Sequence, residues 1–315
     1  MSFSSDVKNE LIRKNTGSRH CMMAELAAII SLQGEITAGA GEERLVVGTE
    51  NTGVAKRYIK LVRELFGFEV GMVVEDGARL GHSYSITLAV DGREQVGEIK
   101  AALKLSDDWK TANESGVLVN PIVIQRECCR KAFVRGAYLA AGSMSDPEKS
   151  YHFEIVLATE LKAEQMRDIL GGFALDAKVV ARKNHFVVYI KESERIIRAL
   201  GVMEAFNALM ALENVRIVKD MRNNVNRQVN CETANINKTV AASVRQMEDI
   251  EYIRDTVGLE SLPTLLQEIA QVRLENPEVS LAELGTLLNT PVGKSGANHR
   301  LRKIAQIAED MRRKI

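Results

Sequence analysis

The feature that most constrains the fold is an internal repeat of about 105 residues. Residues 26–36 read LAAIISLQGEI and residues 134–144 read VRGAYLAAGSM, and Gly stands at matching places 108 residues apart. Each stretch precedes a β-type run, a helical pattern, two more strand-like runs and a charged helix. A repeat of this length is too long for a solenoid unit. It predicts a duplicated domain whose two opening helices pack at a pseudo-twofold axis.

Each half therefore has the predicted order helix, two strands, helix, two strands, helix. After the opening helix, the predicted elements of the first half are 45–51, 55–67, 68–76, 83–90 and 92–104, and those of the second are 155–161, 163–172, 175–182, 185–191 and 193–206. The opening helices are rich in Ala and Gly, namely Ala27, Ala28, Gly34, Gly136, Ala137, Ala140 and Gly142. Such small side chains suit two backbones that pack at close range.

Composition excludes several other classes of protein. The 315 residues carry 42 basic and 42 acidic side chains, which is ordinary for a globular chain of two or three domains. The first 20 residues lack the apolar core of a secretory signal, and no apolar run has the length of a bilayer span. Cys21, Cys128, Cys129 and Cys231 show no C-x-x-C spacing and no flanking clusters of His, so we expect a reduced cytoplasmic protein without metal or cofactor.

The two opening stretches resemble degenerate copies of the LAGLIDADG motif of homing endonucleases. In that family the motif helices pair at the axis of an αββαββα duplication, and an acidic residue before the last Gly of each helix holds the catalytic metals. Alignment on Gly34 and Gly142 places Gln33 and Ala141 at the acidic positions. Divalent metals need charged oxygen ligands, which neither residue provides. The resemblance therefore implies a scaffold without catalytic residues.

From about residue 215 the β patterning stops and the sequence becomes helical and polar. Residues 214–245 are rich in Asn and carry basic side chains at Arg216, Lys219, Arg222, Arg227, Lys238 and Arg245, against two acidic ones at Asp220 and Glu232. Two interpretations stay open. The segment is either a linker helix or a surface that contacts DNA phosphates, for which Lys, Arg and Asn are common donors.

The last 55 residues follow a helix-turn-helix pattern. Residues 261–277 predict an amphipathic helix with Pro263 in its first turn, and residues 280–288 predict a second that begins with a Ser280/Glu283 capping box. After a tight turn, a final helix is expected to begin at Ser295 as its N-cap.

The final helix separates apolar from basic residues. Ala297, Leu301, Ile304, Ala308 and Met311 recur at three- and four-residue spacing and are expected to pack on the preceding helices. Ser295, Asn298, His299, Arg302 and Lys303 fall largely on the other side, flanked by Arg300. Because a recognition helix presents its N-terminal residues to base edges, the candidates for base contact are Asn298, His299, Arg300 and Arg302. Those for phosphate contact are Lys294, Ser295 and Lys303, together with Arg222, Asn226 and Arg227 in the preceding segment.

The combination of a degenerate LAGLIDADG duplication with the strings PVGKSGANHRLRKI and NRQVNCETANINK resembles the WhiA family over essentially the whole chain. The resemblance implies a sporulation and cell-division regulator of Gram-positive bacteria, located in the cytoplasm at the nucleoid. Its implied partners are double-stranded DNA at promoters, with other transcription factors, an RNA polymerase sigma factor or division proteins as candidates, and no membrane.

We therefore expect an α+β fold. A duplicated αββαββα LAGLIDADG-like domain would cover residues 1–215, with repeats at about 21–104 and 128–206, and an all-α helix-turn-helix domain would cover residues 216–315. The expected function is sequence-specific DNA binding in transcription regulation, without nuclease activity. Two alternatives stay open: an active homing endonuclease, or a scaffold whose N-terminal domain recruits proteins. The second draws on a split of strand charges, with Glu69, Glu75, Asp76 and Asp91 in the first half and Lys178, Arg182, Lys183 and Lys191 in the second.

Overall fold

The structure is a computed structural model that describes residues 2–15, 17–39, 42–75, 84–106, 109 and 116–313. The chain divides into two compact units, Met1–Lys219 and Asp220–Ile315, which we call the N-terminal and the C-terminal unit. Of the strand charges predicted above, Asp76 lies outside the described residues.

The N-terminal unit contains two αββαββα halves, as the repeat predicts. The first half comprises α2 (Arg19–Gln33), β1 (Gly34–Gly39), β2 (Glu42–Thr49), α3 (Thr52–Phe66), β3 (Gly71–Glu75), β4 (Ser85–Asp91) and α4 (Arg93–Leu103). The second comprises α5 (Glu127–Ala141), β5 (Gly142–Met144), β6 (Phe153–Leu157), α6 (Glu160–Gly171), β7 (Lys178–Arg182), β8 (His185–Ile190) and α7 (Ser193–Met203). A further helix, α1 (Phe3–Arg13), precedes both halves and was not predicted.

Each half folds its four strands into one antiparallel sheet. The strand orders are β1-β2-β4-β3 and β5-β6-β8-β7, so the two sheets have the same topology. Alternate residues of the central strands, such as Leu45, Val47, Leu88 and Val90, are buried in the core with the helices. This alternation leaves the opposite face of each sheet free for polar residues.

Helices α2 and α5 pack against each other at the centre of the unit, as their small residues predict. The two backbones come close together at Gly136, where an added Cβ would lie 2.5 Å from the Glu25 carbonyl oxygen and 2.9 Å from the Ala28 Cβ. Both helices end earlier than the two quoted stretches. The chain turns directly into β1 at Gly34 and into β5 at Gly142, where an added Cβ would lie 2.6 Å from the Ile30 oxygen and 2.7 Å from the Tyr138 oxygen. The matching Gly residues therefore permit a strand to leave across the last helical turn.

The C-terminal unit is helical. Its elements are the later part of α8 (Phe206–Val257), then α9 (Thr264–Glu275), α10 (Leu281–Thr286) and α11 (Lys294–Arg312). Helix α8 begins at Phe206, directly after the turn that ends α7. It therefore begins before residue 215, near which the sequence predicted the change from strands to helices. The sequence predicted Pro263 in the first turn of α9, but Pro263 is instead the N-cap of that helix.

None of the described helices combines the length and the apolar character that a membrane span requires.

Candidate nucleic-acid interface

Helices α9, α10 and α11 form a tri-helical unit around one apolar core. The core consists of Ile250, Ile253, Leu262, Leu266, Ile269, Ala270, Leu284, Leu288, Ala297, Leu301, Ile304 and Ala308. The residues of α11 in this set are those predicted to face inward, and Met311 is partly buried beside them. The opposite face of α11 is thereby directed to solvent.

The start of α10 is fixed by the predicted capping box. The Ser280 hydroxyl accepts from the Glu283 backbone N–H at 3.3 Å, and the Glu283 carboxylate accepts from the Ser280 N–H at 2.9 Å. The bond from the Ser280 backbone also lowers the pKa of Glu283. Arg273, only 1% exposed, donates to the Val279 oxygen at 2.8 Å and to Gln246 Oε1 at 3.0 Å, which holds the segment before α10.

The turn between α10 and α11 is tied to both neighbouring helices. The Val292 N–H donates to the Gly285 oxygen at 3.0 Å, and the turn passes so close that a Cβ on Gly285 would lie 2.1 Å from the Val292 oxygen. Glu268 of α9 accepts from the Asn289 N–H at 2.5 Å and lies 3.9 Å from the Arg300 guanidinium. These contacts set the position of α11 within its unit.

The predicted N-cap of α11 is wrong. The helix begins at Lys294 with Gly293 as N-cap, and no side chain caps it. Ser295 is the second helical residue, because the backbone of Gly293 already has the extended conformation of a cap, with φ −71° and ψ 169°. Lys294 and Ser295 are exposed at this N-terminus, which no side chain caps, and the first-turn N–H groups of a helix favour anions.

The side chains predicted to contact DNA lie on the solvent face of α11, with one exception. Lys294, Ser295, His299, Arg302 and Lys303 are exposed, and Asn298 is half-buried. Arg300 is 15% exposed in its ion pair with Glu268, so its position is that of a residue that joins α11 to α9. Within the described part of the chain, Arg302 and Lys303 form no ion pair that would compete with a ligand.

Arg222, Asn226 and Arg227 are exposed on α8. Arg222 and Asn226 are one turn apart, whereas Arg227 is about 140° around the helix from Arg222, so the three do not share one face. Arg216 and Lys219, which sequence grouped with them, are held in the N-terminal unit: Arg216 pairs with Glu213 at 3.0 Å, and Lys219 donates to the Pro147 oxygen at 2.6 Å.

Helix α8 is also less polar than predicted. Between its basic residues it exposes apolar side chains at mostly four-residue spacing, namely Met221, Val225, Val229, Ile236, Val240 and Val244. This spacing is typical of one helical face.

The ends of α2 and α5, where homing endonucleases place their acids, are joined by a structural contact. Gln33 Nε2 donates to the Ala140 carbonyl oxygen at 2.6 Å, while the other amide atom, Oε1, is buried without a partner. Lys162 is 1% exposed and donates to the Ser31 oxygen at 2.9 Å, and burial lowers its pKa to about 8. The Gln33 amide and the Lys162 ammonium group thus donate hydrogen bonds to carbonyl oxygens in the last turns of α5 and α2, respectively. Ala141 has no side-chain atom that could bind a metal.

Of the charges that the sequence analysis attributed to strands, Glu75, Asp91, Lys178 and Arg182 lie in strands, whereas Glu69, Lys183 and Lys191 lie outside them. On the first sheet Glu35 and Glu75 are exposed, and Arg44 forms an ion pair with Asp91. On the second, Lys178 is exposed and Arg182 lies 3.7 Å from Glu154. Among these residues, the exposed charges outside an ion pair are thus acidic on the first sheet and basic on the second.

One cluster was not predicted. His20 and Cys21 at the start of α2 meet Cys128 and Cys129 at the start of α5, with all four ligand atoms within 4.8 Å of one another. It is the single group of three or more potential metal ligands in the described part of the chain. The spacing of the cysteines within one segment does not indicate this cluster. The repeat could have indicated it, because the 108-residue offset makes positions 20 and 21 equivalent to positions 128 and 129.

An αββαββα duplication followed by a tri-helical unit whose last helix is basic defines a LAGLIDADG-like protein that carries a helix-turn-helix domain. Family models match it in three parts: the WhiA N-terminal LAGLIDADG-like domain at residues 19–106, the WhiA LAGLIDADG-like domain at 130–222, and the WhiA C-terminal HTH domain at 225–308.

The chain belongs to the WhiA family. It is 47% identical to the probable cell division protein WhiA of Lachnoclostridium phytofermentans, over 99% of this chain and 100% of that protein. It is 44% identical to the protein of the same name from Alkaliphilus oremlandii, over 98% and 97%. The crystal structure of full-length WhiA from Thermatoga maritima matches with 27% identity and a TM-score of 0.62, over 98% of this chain and 99% of that one.

Proposed function

We propose that the chain is a sequence-specific DNA-binding transcription regulator without nuclease activity, and that it acts at the nucleoid on promoters of cell-division or sporulation genes. The observation that carries the proposal is the solvent face of α11, where Ser295, His299, Arg302 and Lys303 are exposed on a helix fixed by its core and turn. The name of the relatives, probable cell division protein, supports the choice of process.

In this proposal the N-terminal half of α11 enters the major groove. Arg302 and Asn298 read base edges, while Lys294, Ser295 and Lys303 contact phosphates. Arg300 supports the helix from its ion pair with Glu268, and His299 remains a candidate for either role. The exposed Arg222, Asn226 and Arg227 of α8 contribute further phosphate contacts from more than one side of that helix.

Replacement of Arg302 by Ala is expected to weaken binding to the target site by roughly 1–3 kcal/mol and to relax the preference over scrambled DNA, because a bidentate base contact is lost. Lys303→Ala should weaken target and scrambled DNA alike and lower the salt slope by about one unit. Fluorescence anisotropy over a salt series, on sites selected from genomic DNA, measures both effects.

The matched control is Arg313→Ala, which removes an exposed arginine at the C-terminal end of α11, away from the proposed recognition half. Among the described residues, Arg313 pairs only with Glu309. The assigned recognition face is wrong if Arg302→Ala changes affinity and preference no more than this control does.

No cleavage of supercoiled plasmid is expected with Mg²⁺ or Mn²⁺, because Gln33 and Ala141 supply no charged oxygen where two metals would bind. Agarose gels of the purified chain over time provide the measurement, with Gln33→Ala as the control preparation. Nicking that copurifies with the chain and disappears in Gln33→Ala would restore the endonuclease alternative.

The same titrations distinguish the DNA-binding proposal from the scaffold alternative. A partner-recruiting protein would show target binding that is insensitive to Arg302→Ala and Lys303→Ala. Its contacts would instead involve the N-terminal unit, whose first sheet presents Glu35 and Glu75 to solvent.

A further inference from the structure

The four residues of the cysteine cluster occupy equivalent positions in the two repeats. His20 and Cys21 are the second and third residues of α2, and Cys128 and Cys129 are the second and third residues of α5. The packing of these two helices therefore brings two adjacent pairs of ligands from opposite sides to one point. The fourth cysteine of the chain, Cys231, is exposed on α8 and takes no part.

The four ligand atoms lie within 4.8 Å of one another, close to the spacing that a tetrahedral zinc site requires. His20 Nδ1 lies 3.3 Å from Cys21 Sγ, 3.2 Å from Cys129 Sγ and 4.0 Å from Cys128 Sγ. Zinc–sulfur bonds of about 2.3 Å and zinc–nitrogen bonds of about 2.0–2.1 Å separate neighbouring ligands by roughly 3.5–3.8 Å. Small shifts of side chains already in contact would thus complete the coordination.

Two features of the surroundings act on the protonation of the cysteines in opposite directions. Both helix N-termini direct their positive ends at the cluster, which stabilises thiolates. Burial and the neighbouring Cys128 thiol raise the pKa of Cys21 to about 12, and burial raises the pKa of Cys129. A bound divalent cation removes the mutual repulsion of the thiolates and displaces their protons.

We propose that His20, Cys21, Cys128 and Cys129 form a structural Cys₃His site for one zinc ion, which joins the N-terminal ends of the two axial helices. Three thiolates and an imidazole are a ligand set that suits zinc, and four protein ligands leave no open position for catalysis. The ion reaches the site through a cleft of about 500 Å³ that Cys21 and Cys128 line. At the other end of α2 the Gln33–Ala140 hydrogen bond makes the corresponding link.

The test is the zinc content of the purified full chain after zinc loading in reducing buffer and dialysis, measured by mass spectrometry. We expect about one zinc per chain in the wild type and in Cys231→Ser, and less than about a tenth of that in Cys21→Ser and Cys129→Ser. Circular dichroism establishes that each variant is folded. Zinc retention should fall as the pH is lowered, because protons compete for the thiolates.

A second measurement needs no variant. Cobalt in place of zinc should give the thiolate-to-metal charge-transfer absorption of a sulfur-rich tetrahedral site, and a strong chelator should abolish it and lower the melting temperature of the wild type. Zinc content in Cys129→Ser equal to that of Cys231→Ser would overturn the proposal. So would a wild type that retains no zinc, that retains iron in its place, or that forms a disulfide within the cluster in reducing buffer.

Discussion

Replacement of Glu25 by Ala is expected to lower the free energy of unfolding of the N-terminal unit by about 3–5 kcal/mol. Glu25 is fully buried in α2 and accepts from two arginines that are 2% and 3% exposed. Its carboxylate lies 2.6 Å from Arg57 Nε and 3.1 Å from Arg135 Nε. Without Glu25, Arg57 would lose this buried carboxylate, and Arg135 would keep only its ion pair with Glu204, at 3.1 Å. Removing one partner from a buried ion pair costs more free energy than breaking an exposed one.

Chemical denaturation followed by tryptophan fluorescence measures this effect. Trp109, the only tryptophan of the sequence, is 4% exposed and belongs to the core of the N-terminal unit, so its emission reports that unit. The matched control is Glu64→Ala, which breaks an exposed ion pair with Lys60 at 3.6 Å and should cost at most about 0.5 kcal/mol. Equal midpoints for Glu25→Ala and Glu64→Ala would show that the buried network does not stabilise the fold.

Replacement of Gly136 by Ala is expected to destabilise the N-terminal unit by about 1–3 kcal/mol, although Ala is the better helix former. The new methyl group would lie 2.5 Å from the Glu25 backbone oxygen, so α2 and α5 would have to move apart. The same denaturation series gives the free energy. Since the clash involves backbone atoms, no side-chain rotation relieves it.

Gly97→Ala is the matched control for this prediction. Gly97 lies within α4 with no atom near the position of an added Cβ, so the substitution should stabilise by up to about 1 kcal/mol through helix propensity alone. The interpretation of the axis as a close backbone contact fails if both substitutions change stability in the same direction.

The sequence predicted the features that recur along the chain and those that a few neighbouring residues determine. The 108-residue offset and the apolar alternation of the strands predict the αββαββα duplication. This is possible because the residues that a helix or strand buries on one face recur in the sequence at a regular spacing. Ser280 and Glu283 predict the start of α10 because a capping box is local. The start of α11 was predicted wrongly for a related reason: Ser295 is a good cap, but the backbone at Gly293 determines where the helix begins.

Features that depend on contacts between distant segments were not predictable in this way. Glu25 stands in an apolar stretch, and nothing near it in sequence shows that Arg57 and Arg135 neutralise it. The cysteine cluster escaped for the same reason, because its ligands come from two helices. The choice among the candidate base contacts also needed the structure, because Arg300 looks equivalent to Arg302 in sequence but pairs with Glu268.

The contact between Gln33 and the Ala140 carbonyl oxygen has a consequence for how this scaffold can change by mutation. A first step from Gln33 to Glu exchanges a hydrogen-bond donor for a carboxylate that faces a carbonyl oxygen, and Ala141 offers no second acid to share a cation. That step loses stability and gains no complete metal site. Paired acids would need both substitutions, and selection for a stable axis opposes the first of them when it arises alone.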